Sequence, residues 1–185
     1  MKIKLSKDLI KKNHVTNSNL LSKFYFKILH KKILNIGNFN RLISVLDYGC
    51  GKGDLKKLNK KMNNLSKIIN YDKVKSLSDI NSYKNIKLNT VVFCQIFYLL
   101  KKKEIKKILK EFKSKDKNID VIVAFSTQGI LNKIFAFILG HKDAHYGTKT
   151  KPNEEEKILL EECDLIKKIN FFGLFVILKL KFKEI

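Results

Sequence analysis

One stretch limits what this chain can fold into more than any other. Leu42-Ile43-Ser44-Val45-Leu46-Asp47 is a short apolar run ending in an acid, and Gly49-Cys50-Gly51-Lys52-Gly53 follows it at once. A run of that length bounded by turn residues reads as a buried strand. Glycines at alternate positions suit a turn that needs positive φ or lets another molecule approach its backbone. Asp54 to about Lys61 then reads as a short helix, so the unit is strand, glycine turn, helix.

The same alternation continues along the chain. Ile68 to Asp72 is a second strand ending in an acid, and Asn89 to Cys94 is another. A helix follows, with Ile105, Ile108, Leu109 and Phe112 on one face and lysines on the other. Asp120 to Phe125 is a further strand, and Leu131 to Leu139 is an apolar helix. Strands alternating with helices predict an α/β fold of three layers, α/β/α, with a doubly wound, mostly parallel sheet. Near the C-terminal end, runs around Phe171 and over Phe175–Phe182 lie close together, which predicts an antiparallel strand at or near the sheet edge. Leu178, Leu180 and Phe182 alternate with Lys179 and Lys181, as in a half-exposed strand. Before that pair, residues 140–152 read as a polar loop, and Asn153 as the cap of a helix with Glu154, Glu155 and Glu156 in its first turn.

Residues 1–40 read as a lysine-studded helical segment with Leu21, Phe24, Ile28 and Leu29 at helical spacing. Its expected role is to dock on the domain formed by residues 41–185, and lying weakly on a membrane surface is the alternative. Gly37-Asn38-Phe39-Asn40 marks the break between the two. No apolar run approaches the roughly 18 residues of a membrane span. Three widely spaced cysteines, with no C-x-x-C pair, argue against a zinc knuckle or a disulfide framework and fit a cytoplasmic location.

The glycine spacing sorts candidate ligands. A dinucleotide fingerprint, G-x-G-x-x-G, would need glycine where Asp54 stands. A P-loop would need Ser or Thr after Gly51-Lys52, where Gly53 stands. What remains is Asp47-x-Gly49-x-Gly51-x-Gly53. Val45-Leu46-Asp47-Tyr48-Gly49-Cys50-Gly51-Lys52-Gly53 resembles the first motif of the class I S-adenosylmethionine (SAM)-dependent methyltransferases, small enzymes of the type 11 kind included. That resemblance covers roughly residues 40–182 and implies a Rossmann-like fold with SAM as cofactor. It also implies that the turn wraps the methionine half of SAM, while Asp72, at the end of the second strand, takes both ribose hydroxyls. A carboxylate suits a vicinal diol because its two oxygens can each accept. Val91 comes only 19 positions after Asp72, so the family's third strand is expected to be short or missing, with Asp79 at the adenine side.

On the acceptor side, the segment Cys94-Gln95 is expected to contact cofactor or substrate. Phe93-Cys94-Gln95 lacks the proline of a cytosine-methylating nucleophile motif, so Cys94 reads as a buried strand-end thiol. The loop holds His141, Asp143, His145 and Tyr146. The resemblance puts His145 and Tyr146 on the acceptor side, His145 as a general base whose ordinary pKa suits proton transfer near neutrality. No metal site is expected.

The net charge of +22 points first to nucleic acid. Yet of 39 basic residues only Arg41 is an arginine, and specific phosphate and base recognition leans on the planar arginine fork. The resemblance to compact methyltransferases with a His-bearing loop, and the lack of nucleic-acid motifs, imply methyl transfer to a small-molecule or saccharide-type acceptor. An RNA-directed methyltransferase using the lysines, and a methyltransferase-like binding protein without turnover, are the alternatives. The sequence leaves the oligomeric state open.

Overall fold

The computed structural model describes residues 20–127 and 148–184. The helix expected over 131–139 and the loop residues His141, Asp143, His145 and Tyr146 lie outside them. In chain order the elements are α1 (Leu20–Gly37), β1 (Ser44–Tyr48), α2 (Asp54–Lys61), β2 (Lys67–Tyr71), β3 (Thr90–Cys94), α3 (Lys102–Lys115), β4 (Asp120–Ser126), α4 (Pro152–Glu162), β5 (Cys163–Phe171) and β6 (Phe175–Phe182). One six-stranded sheet runs β2-β1-β3-β4-β6-β5. The first four strands are parallel, and β6 lies antiparallel between β4 and β5. The fold is thus α/β, Rossmann-like and mostly parallel, with its antiparallel strands at the C-terminal end.

Two hydrophobic layers flank the sheet. On one face Val45, Ile68, Val92, Ile122 and Ile177 pack with Leu29, Ile33, Leu34 and Ile36 of α1 and Leu55 of α2. On the other, Leu46, Phe93, Val121 and Val123 pack with Ile105, Leu109 and Phe112 of α3 and with Ile158 and Leu159 of α4. The amphipathic reading of α3 holds, because its four apolar positions are all buried.

Two expectations need correction. The buried stripe of α1 is not Leu21, Phe24, Ile28 and Leu29. The face over the sheet runs through Ser22, Tyr25, Leu29, Ile33, Leu34 and Ile36, while Leu21 and Phe24 lie on the exposed side. The cap of α4 is Lys151 rather than Asn153: Pro152 starts the helix, and the Lys151 N–H donates to Glu154 Oε2 at 3.0 Å. In β6 the expected alternation holds: Leu178, Leu180 and Phe182 are buried, and Lys179 and Lys181 between them are partly exposed. Phe175 to Leu178 are all buried, and Lys179 and Lys181 are turned to Asp120, at 3.0 and 3.5 Å.

Among the described residues no strand stands between β2 and β3, so the third strand of the resembled family is missing. Side chains close the sheet instead. Tyr83 stacks on Phe112, with ring centroids 5.0 Å apart, and meets Tyr71 edge-on at 4.8 Å. Asp79 caps the open edge of β2: its N–H donates to the Asn70 carbonyl at 3.0 Å, and its carboxylate accepts from the Asn70 N–H at 2.8 Å. The two backbone groups of Asn70 that a third strand would have paired are satisfied by one aspartate, and the Asp72 N–H donates to Ser78 Oγ at 3.3 Å.

Candidate functional site

The chain passes from β1 outward to β2, then back across to β3 on the other side of β1. That reversal opens a crevice at the carboxyl ends of β1 and β3, where open α/β sheets bind ligands. The glycine turn enters the crevice from β1, and Gln95 enters it from β3.

All three turn glycines have positive φ: 76° at Gly49, 52° at Gly51 and 69° at Gly53. Two of them also sit where a side chain would collide. A Cβ on Gly49 would lie 2.0 Å from Ile96 Cδ1, and one on Gly53 would lie 2.5 Å from Asn70 Nδ2. Gly51 differs, because a Cβ there would meet nothing within 4 Å. Gly49 and Gly53 are glycines for internal packing, and Gly51 is the one that faces open space. The turn is folded back on β2 by hydrogen bonds from the Gly49 and Cys50 N–H groups to the Tyr71 carbonyl, at 2.7 and 3.3 Å. The Cys50 thiol donates to the Leu77 carbonyl at 3.3 Å, and burial pushes its pKa up to about 12, so it is a neutral tie and not a nucleophile.

Two acids bracket the turn. Asp72 sits just past β2, where Oδ2 accepts from the Gly51 N–H at 3.1 Å and Oδ1 from the Val74 N–H at 2.9 Å. Each oxygen keeps a further lone pair. Asp47 is 3% exposed at the inner end of β1. Among the described residues no hydrogen-bond donor reaches its carboxyl. Burial first, then the charges of Asp72 and Asp54, push its pKa up to about 7. Beside it, the buried Asn70 Oδ1 has no partner among the described residues. Asp79 is already engaged, by the Asn70 backbone and by Lys56 at 2.7 Å.

On the other side of the crevice, Gln95 has φ 54°, a left-handed conformation uncommon outside glycine. Its N–H is held by the Ala124 carbonyl at 2.8 Å. The side chain joins a small network: Ser126 Oγ donates to Gln95 Oε1 at 2.9 Å, Gln95 Nε2 lies 3.5 Å from the Tyr25 hydroxyl, and that hydroxyl is 3.3 Å from Ser126 Oγ. Burial pushes the Tyr25 phenol up to about 12, which keeps it a neutral donor. Cys94 lies behind Gln95, and its thiol is likewise pushed up by burial, so no thiolate is available there.

Asp47, Gly49, Cys50, Gly51, Gly53, Asp72, Cys94 and Gln95 thus gather around one crevice, with Asp79 at the rim of the sheet. His145 and Tyr146 lie outside the described residues. Sequence reasoning did not identify Tyr25 and Ser126, which are 101 positions apart and meet only through the docking of α1. It did not identify Asn70 either, although that residue stands directly opposite Asp47 in the β1–β2 register.

No family model and no curated protein matches the sequence. Solved structures do match its fold. The PH0226 protein of Pyrococcus horikoshii OT3 superposes with a TM-score of 0.68 at 13% identity, over 96% of this chain and 99% of its own. Magnesium protoporphyrin IX methyltransferase (ChlM) from Synechocystis PCC 6803, with bound SAH, superposes with a TM-score of 0.56 at 15% identity, over 96% of this chain and 95% of its own. Human N-acetylserotonin methyltransferase, in complex with SAM, gives 0.63 at 11% identity over 89% of this chain, which spans 56% of that longer protein. The chain has the fold of the class I SAM-dependent methyltransferases.

Proposed function

We propose that this protein is a SAM-dependent methyltransferase acting on a small-molecule or saccharide-type acceptor in the cytoplasm. Residues 41–185 are assigned to the cofactor-binding domain, and α1 docks on it through Leu29, Ile33, Leu34 and Ile36. The observation that carries the reading is the turn itself. Three positive-φ glycines follow a buried acid, and Gly51, the one with open space before it, is pinned by the acid at the end of the neighbouring strand.

The residues present fit the cofactor. Asp47 is a buried carboxyl that no donor reaches among the described residues, and a cationic ligand group beside it would supply one. The spare lone pairs of Asp72 suit two vicinal hydroxyls, and the open space at Gly51 lets a ligand lie against the backbone. When bound, SAM supplies a methyl group activated on a sulfonium. The chain's own task is then to orient and to exclude water. The Tyr25–Gln95–Ser126 network faces the carboxyl ends of β3 and β4 with its donors already fixed. His145 and Tyr146 complete the acceptor side, His145 as the base that takes the acceptor's proton.

Calorimetric titration with SAM tests this reading. The wild type should bind, and Asp72→Ala should weaken binding at least about tenfold, by loss of charge-assisted bonds of about 1.5–3 kcal/mol each, while circular dichroism stays native. Absence of wild-type binding would overturn the assignment. Transfer of a tritiated methyl group into a metabolite pool, against transfer into RNA, then separates the two acceptor classes.

A further inference from the structure

Helix α1 carries two unlike surfaces. Its second half is buried through Leu29, Ile33, Leu34 and Ile36, whereas Leu20, Leu21 and Phe24 in its first turns are 83%, 45% and 59% exposed. Lys23, Lys27 and Lys31 stand among and beyond them, all exposed. Leu20, Lys23, Phe24, Lys27 and Lys31 fall on one stripe at helical spacing. The helix has no acid in its 18 residues. Among the described residues no ion pair reaches these three lysines. On the opposite face of the molecule two lysines of α3 are paired, Lys102 with Glu154 and Lys106 with Glu161 of α4, at 2.9 and 2.7 Å. On α1, lysines that no ion pair reaches thus stand beside exposed apolar side chains.

We propose that the first half of α1 docks the protein on an anionic lipid surface. Leu20, Leu21 and Phe24 enter the boundary between headgroups and acyl chains, and Lys23, Lys27 and Lys31 meet lipid phosphates. A nucleic acid fits this stripe less well, because its backbone would leave two leucines in water and it favours arginine and stacking aromatics. The hydroxyl of Tyr25, on the same turn as Phe24, ties this part of the helix to Gln95 and Ser126.

The full chain can be sedimented with phosphatidylcholine vesicles, with or without phosphatidylglycerol, at physiological salt. It should bind the anionic vesicles and not the neutral ones. Exchanging Leu20, Leu21 and Phe24 together for Gln should cut the partition coefficient at least about tenfold. Removing the charges of Lys23, Lys27 and Lys31 should cost about fivefold each. A triple-Gln variant that binds like the wild type would overturn the proposal by reducing it to diffuse charge attraction, as would loss of vesicle binding to competing RNA. Because the chain has no tryptophan, Phe24→Trp gives a reporter that leaves the stripe apolar. Its emission should shift to the blue on anionic vesicles, and an unchanged spectrum would overturn the proposal. None of these readings depends on SAM.

Discussion

Asp47 shows how a single residue can be legible in type and illegible in state. An acid at the end of a strand, followed by alternate glycines, can be read directly from the chain. Its isolation cannot, because that follows from burial and from the absence of any neighbouring donor among the described residues. The consequence is measurable. Its folded-state pKa is raised to about 7, so below that pH the carboxyl is neutral and offers a cation little. The affinity for SAM should rise about tenfold per unit as the pH climbs toward 7, then level off. Calorimetry across that range checks it, and Asp47→Asn should flatten the profile. Gln95 makes a similar point. Its place after β3 is apparent in the sequence, but its positive φ and its partners Tyr25 and Ser126 come from contacts far apart in the chain.

Among the elements, the parallel strands and α3 are the most legible, because period and length agree there. The phase of α1 is not, since Leu21, Phe24 and Ile28 satisfy the helical spacing as well as the buried set does. Which stripe is covered depends on where the helix meets the sheet. Helix α4 carries a hidden cost. Glu155, in its first turn, is 1% exposed, and burial pushes its pKa up to about 8. The folded state therefore holds a proton that the unfolded chain releases near 4.5. The stability this group contributes is complete below about 4.5 and lost as the pH rises through about 8. Thermal melts from pH 6 to 9 should show the wild type losing up to about 1.4 kcal/mol per pH unit from this source. Glu155→Gln, which keeps the shape without the titration, should melt with a shallower dependence.

For the molecule as a whole, strand alternation and the acid-led turn determine the class of fold, and the short interval after Asp72 announces the missing strand. What replaces that strand was not legible, because Tyr83 and Asp79 act through partners on α3 and β2. The replacement has a consequence for how the sheet breathes. The segment between β2 and β3 is held by short turns and by side chains rather than by a ladder of backbone bonds, and such regions open more readily than sheet interiors. Its amides should exchange with deuterated solvent well before those of β1, β3 and β4. Asp72 begins that segment and also grips the glycine turn, so a ligand that fills the crevice should slow exchange most there. The part of the domain with least backbone support would then serve as its most sensitive gauge of occupancy, readable by mass spectrometry before any acceptor is known.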